Sequence, residues 1–167
     1  MACDTHSALP TLLPRLLAFA RTIVGNADTA GDLVQEAVAR ALSAHRVPED
    51  SAAYRAWMFK IVRNAAVDEL RRVRPEPIEE EPAVDLWHFD NASIAKITVE
   101  QGLASLASLH REIIALIDIA GFSYSEAADL LAVPIGTVMS RITRARMALL
   151  TAIEASSVRP MKSSHGN

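Results

Sequence analysis

Ser140, Arg141, Thr143, Arg144 and Arg146 crowd one short stretch of the chain, and on a helix they would offer donors to phosphates and to guanine edges in a major groove. The residues before them, Glu126 to Val138, have the grammar of a helix-turn-helix. Small Ala127 and Ala128 permit close helix approach, and Leu130 or Leu131 with Val133 fills the angle. Pro134 starts the second helix, while Val138 and Ile142 point inward. A second cationic set, Arg55, Lys60, Arg63, Arg71 and Arg72, shares a general surface with Asn64 and makes a local basic face. Asp32, Gln35 and Glu36 form a polar face of the opposite character, which by its residue types alone reads as a solvated helix surface. Chemistry of bond-making is not indicated: nothing near these carboxylates supplies a nucleophile or a substrate pocket. His6, His45, His88, His110 and His165 are scattered, Cys3 is the sole cysteine, and His110-Arg111-Glu112 lacks the second histidine of a zincin. No metal, no cofactor and no enzymatic activity are expected.

Positioning these groups falls to helices. The composition is rich in Ala and Leu and poor in Gly and aromatics, and no alternating β-branched run occurs, so the fold class expected is all-α. Leu9 to Val24 reads as a first helix, with Leu9, Leu13, Leu16, Leu17, Ala20 and Val24 as its stripe and Gly25-Asn26 as its stop. Asp28 is expected to cap a second helix running to about His45, with Leu33, Val34, Ala37, Val38, Ala41 and Leu42 turned inward. Ser51 is expected to cap a third, burying Tyr54, Trp57, Met58, Ile61, Val62, Ala65 and Leu70 and presenting Arg55, Lys60, Arg63, Arg71 and Arg72 outward. Core packing is the reading preferred for Tyr54 and Trp57 over stacking on bases. The second half reads as four helices: Ile94 to Leu106, Leu109 to Ala120, Tyr124 to Leu131, and Ile135 to Ala155. Gly121 is a C′ residue, and Ser123 and Glu126 stand at capping-box spacing.

Between the halves, Pro75, Pro77 and Pro82 with Glu79-Glu80-Glu81 predict a flexible acidic linker. The expected organisation is a domain over 1–74, the linker over 75–93, a second domain over 94–155 and a disordered tail over 156–167. Trp87 and Phe89, near the end of the linker, are expected to pack on one of the domains. Net charge is −3, which argues against nucleic acid only as an average. Residues 1–74 carry ten Lys/Arg against eight Asp/Glu, residues 75–98 one against six, and residues 99–167 six against six. The acidity therefore lies in the tether, and Arg55 to Arg74 form a local basic face. The most apolar segment, Ile113 to Ala120, is too short to span a bilayer, and no secretory signal is visible, so a cytoplasmic protein without membrane insertion is expected.

Two stretches carry a family resemblance. Asp32-Leu33-Val34-Gln35-Glu36-Ala37, followed by Trp57 through Arg72, resembles sigma regions 2.2 to 2.4. Leu106 to Glu112, Gly121 to Glu126 and Gly136 to Arg146 resemble region 4. The order is right and no third sigma domain intervenes, which is the layout of the extracytoplasmic-function class of bacterial RNA polymerase sigma factors. The resemblance implies a chain that binds core RNA polymerase and directs promoter-specific initiation, acting with polymerase as a monomer and held in check by an anti-sigma factor. It places polymerase docking on Asp32, Leu33, Gln35 and Glu36. It places recognition and melting of the minus-ten element on Arg55, Lys60, Arg63, Asn64, Arg71 and Arg72, with the loop from His45 to Ala53 forming a base pocket. Recognition of the minus-thirty-five element falls to Thr137, Met139, Ser140, Arg141, Thr143, Arg144 and Arg146. Met139 is a departure, since many family members carry Lys or Arg there; a thymine methyl is the contact it could make instead. The linker acids Glu76, Glu79, Glu80, Glu81 and Asp85 would stand in for RNA phosphates in the polymerase, and neutralising them is expected to weaken initiation more than DNA affinity. Two other readings stay open: a stand-alone helix-turn-helix regulator of duplex DNA, and an interaction protein that keeps sigma-like surfaces as a decoy.

Overall fold

The computed structural model describes residues 5–73 and 94–157, and within these the side chains of residues 7–73 and 99–155. Among the described residues every regular element is helical. The linker over 75–93, with Trp87 and Phe89, lies outside them, as does the tail beyond Ser157.

A single 3₁₀ turn at Thr5–Ala8 leads into α1 (Leu9–Val24), which ends where Gly25 adopts φ 78° and donates its N–H to the Arg21 carbonyl at 2.8 Å. A residue with a Cβ would resist that left-handed conformation, so the expected stop is a steric one. Helix α2 (Ala27–Leu42) follows at once. Its N-cap is Asn26, whose side chain accepts from the Thr29 N–H at 3.0 Å; Asp28 instead lies inside the first turn, where its charge favours the helix dipole. Likewise Asp50, not Ser51, caps α3 (Ser51–Val73), its carboxylate accepting from the Ala53 N–H at 2.8 Å. In both cases a competent acceptor stands one or two residues earlier and reaches the orphan amide first.

The three helices form a bundle with a fully buried centre of Leu16, Phe19, Ile23, Tyr54, Met58 and Val62. The buried stripe of α1 is Leu9, Leu12, Leu16, Phe19, Ala20 and Ile23, rotated from the expected one, so that Leu17 is exposed. On α2, Ala30, Leu33, Val34, Ala37 and Ala41 turn inward and Leu42 faces out.

The second half comprises α4 (Ile94–Ala104), α5 (Ser108–Ile114) continued by a π-helical turn over Ala115–Ile119, α6 (Tyr124–Leu131) and α7 (Ile135–Ser157). Helix α7 is the spine on which α4, α5 and α6 pack. At Gly102 a Cβ would lie 3.0 Å from a Leu149 methyl and 3.2 Å from Ile153, so this glycine lets α4 and α7 approach closely. The π turn closes with the Ala120 N–H on the Ala115 carbonyl at 2.8 Å, and Gly121 (φ 72°) reverses the chain into α6. The capping box is present as expected: the Glu126 N–H donates to Ser123 Oγ at 3.2 Å, and the Ser123 N–H donates to Glu126 Oε2 at 2.7 Å.

The halves do not stand apart. Helix α1 packs on α5 and the π turn, and α3 packs on α6. One hydrophobic core runs from Leu9 to Ala145 through both halves. Its bridge is Phe59, wholly buried, which meets Phe19 edge-on at 5.2 Å between ring centroids and Phe122 edge-on at 5.1 Å.

Candidate nucleic-acid and polymerase interfaces

The α6–α7 unit has helix-turn-helix geometry. Ala127 and Ala128 are buried where α6 meets α7, and Leu130 closes the angle. The turn is made by Ala132 at φ 53°, after which the Val133 N–H returns to the Ala128 carbonyl at 3.1 Å. Val138 and Ile142 are buried, which fixes the rotation of α7. Met139, Ser140, Thr143 and Arg144 consequently face solvent, with Met139 half exposed, and Thr137 and Arg141 are half-buried at the margin. The Ser140 hydroxyl donates to the Thr137 carbonyl at 3.0 Å and the Thr143 hydroxyl to the Met139 carbonyl at 2.9 Å.

Arg146 is differently engaged. It donates through Nη2 and Nε to the two Asp118 oxygens at 2.6 and 3.2 Å, a bidentate pair that ties α7 to the π turn. That pair, with Tyr124 beside it, raises the guanidinium pKa above its ordinary value. Glu126 is shifted the other way: the Ser123 amide and hydroxyl, and then the nearby Arg55, hold its carboxyl below the usual carboxylate range.

On α2, Asp32, Gln35 and Glu36 form an exposed face, with Glu36 paired to Arg40 one turn on. Leu33 points the opposite way, into the bundle, so it supports that face from beneath.

The α3 set divides in two. Lys60 and Asn64 are exposed, as are Arg71 and Arg72, which pair along the helix with Asp68 and Glu69. Arg55 and Arg63 are covered by the second half of the chain. Arg63 Nε donates to Glu112, the only buried charged residue among those described, and its Nη1 also reaches Asn64 Oδ1 at 3.4 Å. Arg55 donates to the Ala120 carbonyl at 3.0 Å, lies 3.8 Å from Glu126 and stacks its guanidinium 4.1 Å above the Phe122 ring. Tyr54 is fully buried and Trp57 half-buried beside it, ring centroids 5.8 Å apart, in keeping with core packing. Sequence reasoning missed Phe59, Glu112, Asp118 and Phe122. A signal did exist for Phe59: an aromatic between the basic positions Arg55 and Arg63 that fitted neither the inward stripe nor a solvated face.

Comparison with known proteins accounts for both halves. Residues 11–76 match the family model described as Sigma-70 region 2, and residues 96–149 match that described as Sigma-70, region 4. The ECF RNA polymerase sigma factor EcfG of Rhodopseudomonas palustris (strain TIE-1) is 35% identical over 141 residues, covering 82% of this chain and 78% of that protein. The ECF RNA polymerase sigma factor SigC of Mycobacterium tuberculosis (strain CDC 1551 / Oshkosh) is 36% identical over 138 residues, covering 78% and 72%. Among solved structures, the sigma factor RpoE from Bartonella quintana, in complex with the anti-sigma factor NepR, aligns with a TM-score of 0.65 at 29% identity, over 90% of this chain and 97% of that one. A two-part helical fold with a helix-turn-helix at its C-terminal end is that of a sigma-type initiation factor. The chain belongs to the ECF RNA polymerase sigma factors.

Proposed function

We propose a division of labour within this sigma factor. Residues 1–74 form the region 2 domain, residues 94–155 the region 4 domain, and the acidic segment 75–93 the tether between them. Asp32, Gln35 and Glu36, with Leu33 beneath them, dock on core RNA polymerase, where exposed carboxylates give steering and register against a basic surface. Helix α3 binds and opens the minus-ten element: Arg55, Lys60, Arg63, Arg71 and Arg72 neutralise backbone phosphates and Asn64 offers hydrogen bonds to an extruded base. Helix α7 reads the minus-thirty-five element through Thr137, Met139, Ser140, Arg141, Thr143 and Arg144, with Arg146 reaching phosphate once it leaves Asp118.

The chain carries no chemistry of its own in this reading; the bond-forming steps are the polymerase's. It works in the cytoplasm, where the polymerase it serves is found; no described helix is long and apolar enough to cross a membrane. An anti-sigma factor is its regulator, a reading supported by likeness over most of the chain to a sigma factor solved with such a partner.

The observation that carries the proposal is the coexistence, in one chain, of an outward recognition helix, α7, and an outward acidic face on α2. A stand-alone helix-turn-helix regulator has no use for the second. Mixing the purified chain with core polymerase and a genomic promoter library is expected to give promoter-specific transcripts without another factor. Failure to co-purify with core polymerase would reject the docking face; duplex binding without transcripts would favour the stand-alone regulator.

A further inference from the structure

Three arginines stand on α7, and they are not in the same state. Arg141 and Arg144 meet no carboxylate among the described residues, whereas Arg146 is held by Asp118 through Nη2 to Oδ1 at 2.6 Å and Nε to Oδ2 at 3.2 Å. Asp118 is the exposed member of the π turn, whose Ala115 and Leu116 are buried. A single π turn inside a helix is uncommon and tends to mark a functional position. Arg146 itself lies about two turns beyond Met139 on the same side of α7, so its stem leaves the helix beside the outward residues. The side chains of the pair are 49% and 38% exposed; water reaches it, and such a tie is weak, on the order of fivefold in an equilibrium. A guanidinium stays charged at any working pH, so the pair controls where the charge points and not whether it exists.

We propose that Asp118 is a positioning residue for promoter recognition: it withholds Arg146 from loosely seated DNA and releases it to a backbone phosphate that a registered promoter brings within reach. The proposal rests on the reading of α7 as the minus-thirty-five helix. Its logic is competitive. Attraction to duplex of any sequence grows with the number of cations free to neutralise phosphates, and each adds about 0.9 to the slope of log affinity against log salt. A cation tied to a carboxylate is subtracted from that count. To reclaim it, a phosphate must offer two oxygens to the Nε–Nη2 edge that Asp118 occupies. A duplex docked in register on Ser140, Thr143 and Arg144 brings one there; a duplex sliding past, with water between, does not. Asp118 therefore lowers affinity for non-promoter DNA and leaves the promoter contact in place, which raises the ratio between the two.

The full chain, reconstituted with core polymerase, is titrated with two duplexes of equal length across a series of salt concentrations. One carries only the minus-thirty-five element of a promoter that the holoenzyme transcribes; the other lacks it. Asp118→Asn keeps the side-chain volume and removes the charge. It is expected to tighten binding to the element-free duplex several-fold and to steepen its salt slope by about 0.9, with the slope on the minus-thirty-five duplex unchanged. Arg146→Gln is expected to flatten the minus-thirty-five slope by about 0.9. The double variant is expected to match Arg146→Gln alone, because Asp118 acts only through Arg146. A merely structural tie between α7 and the π turn would weaken binding of Asp118→Asn to both duplexes and steepen neither slope, which overturns the proposal. Tighter element-free binding that persists in the double variant also overturns it, since the carboxylate would then repel phosphates directly. So does a minus-thirty-five slope unchanged in Arg146→Gln, although the α7 reading stands if Arg144→Gln still lowers affinity for that duplex. A wild-type holoenzyme that prefers neither duplex rejects the α7 reading, and the proposal falls with it.

Discussion

Three residues carry most of what can be tested individually. Met139 stands half exposed on the outer face of α7, between positions rich in donors. Replacing it by arginine adds a cation that can hydrogen-bond guanine where methionine can only touch apolar groups. Met139→Arg is expected to tighten binding to promoters with guanine at the facing position and to weaken discrimination for thymine, measured on promoters that differ only there. Ser123 and Glu126 cap α6 reciprocally, and Ser123→Ala is expected to cost about 1 kcal/mol in stability. The depressed pKa of Glu126 gives that cap a pH signature. A carboxyl whose folded pKa lies below its unfolded value stabilises the fold above the unfolded value and loses that contribution as pH falls through the folded one. Acid unfolding followed by circular dichroism is therefore expected to be less steep in Glu126→Gln, at pH values below the ordinary carboxylate range. The helix-turn-helix residues were legible in the sequence because small, apolar and proline positions each answer a local demand. Glu112 was not: a lone glutamate gives no hint that an arginine 49 positions earlier will cover it.

Among the elements, helix limits followed from sequence wherever a single residue type forces the outcome, as at Gly25 and Gly121. They slipped where neighbours compete, since Asn26 and Asp28, or Asp50 and Ser51, are all capable caps and only geometry chooses between them. The inward stripe of α3 was misjudged at Phe59 for a different reason: periodicity shows the face a helix turns to one partner, and α3 has two. The π turn after α5 is not legible in the sequence, because Ile113 to Ile117 is apolar at every position and leaves no periodicity in which an extra residue would show. Helix α2 holds a glycine in its second turn, Gly31, around which a Cβ would meet nothing within 4 Å. Gly31→Ala is therefore expected to raise stability by about 0.5–1 kcal/mol through reduced unfolded-state freedom, read from denaturant titration. A loss of polymerase affinity in that variant would show that the partner approaches the α2 backbone closely there.

At the scale of the whole molecule, the two-part organisation was readable from the charge distribution and the prolines, but the relation between the parts was not. Nothing in the order of residues says that the basic face of α3 will be turned toward a half of nearly neutral charge. What brings them together is a handful of long-range partners, Phe59 with Phe122 and Arg55 with the end of the π turn, whose pairing exists only in three dimensions. An engineered tether with Glu76, Glu79, Glu80, Glu81 and Asp85 neutralised is expected to lower transcript yield while leaving promoter affinity nearly unchanged, as measured by initiation assays beside DNA binding. Equal losses in both would assign the tether to DNA contact instead.

The buried ring of Phe59, set between Phe19 of its own bundle and Phe122 beyond it, has a calorimetric consequence. Two helical units that share an unbroken apolar interior melt together, because neither can lose its packing without exposing the other's. Differential scanning calorimetry of the wild-type chain is expected to show one endotherm with matching van't Hoff and calorimetric enthalpies. Phe59→Ala is expected to split it into two, each half then unfolding at its own temperature.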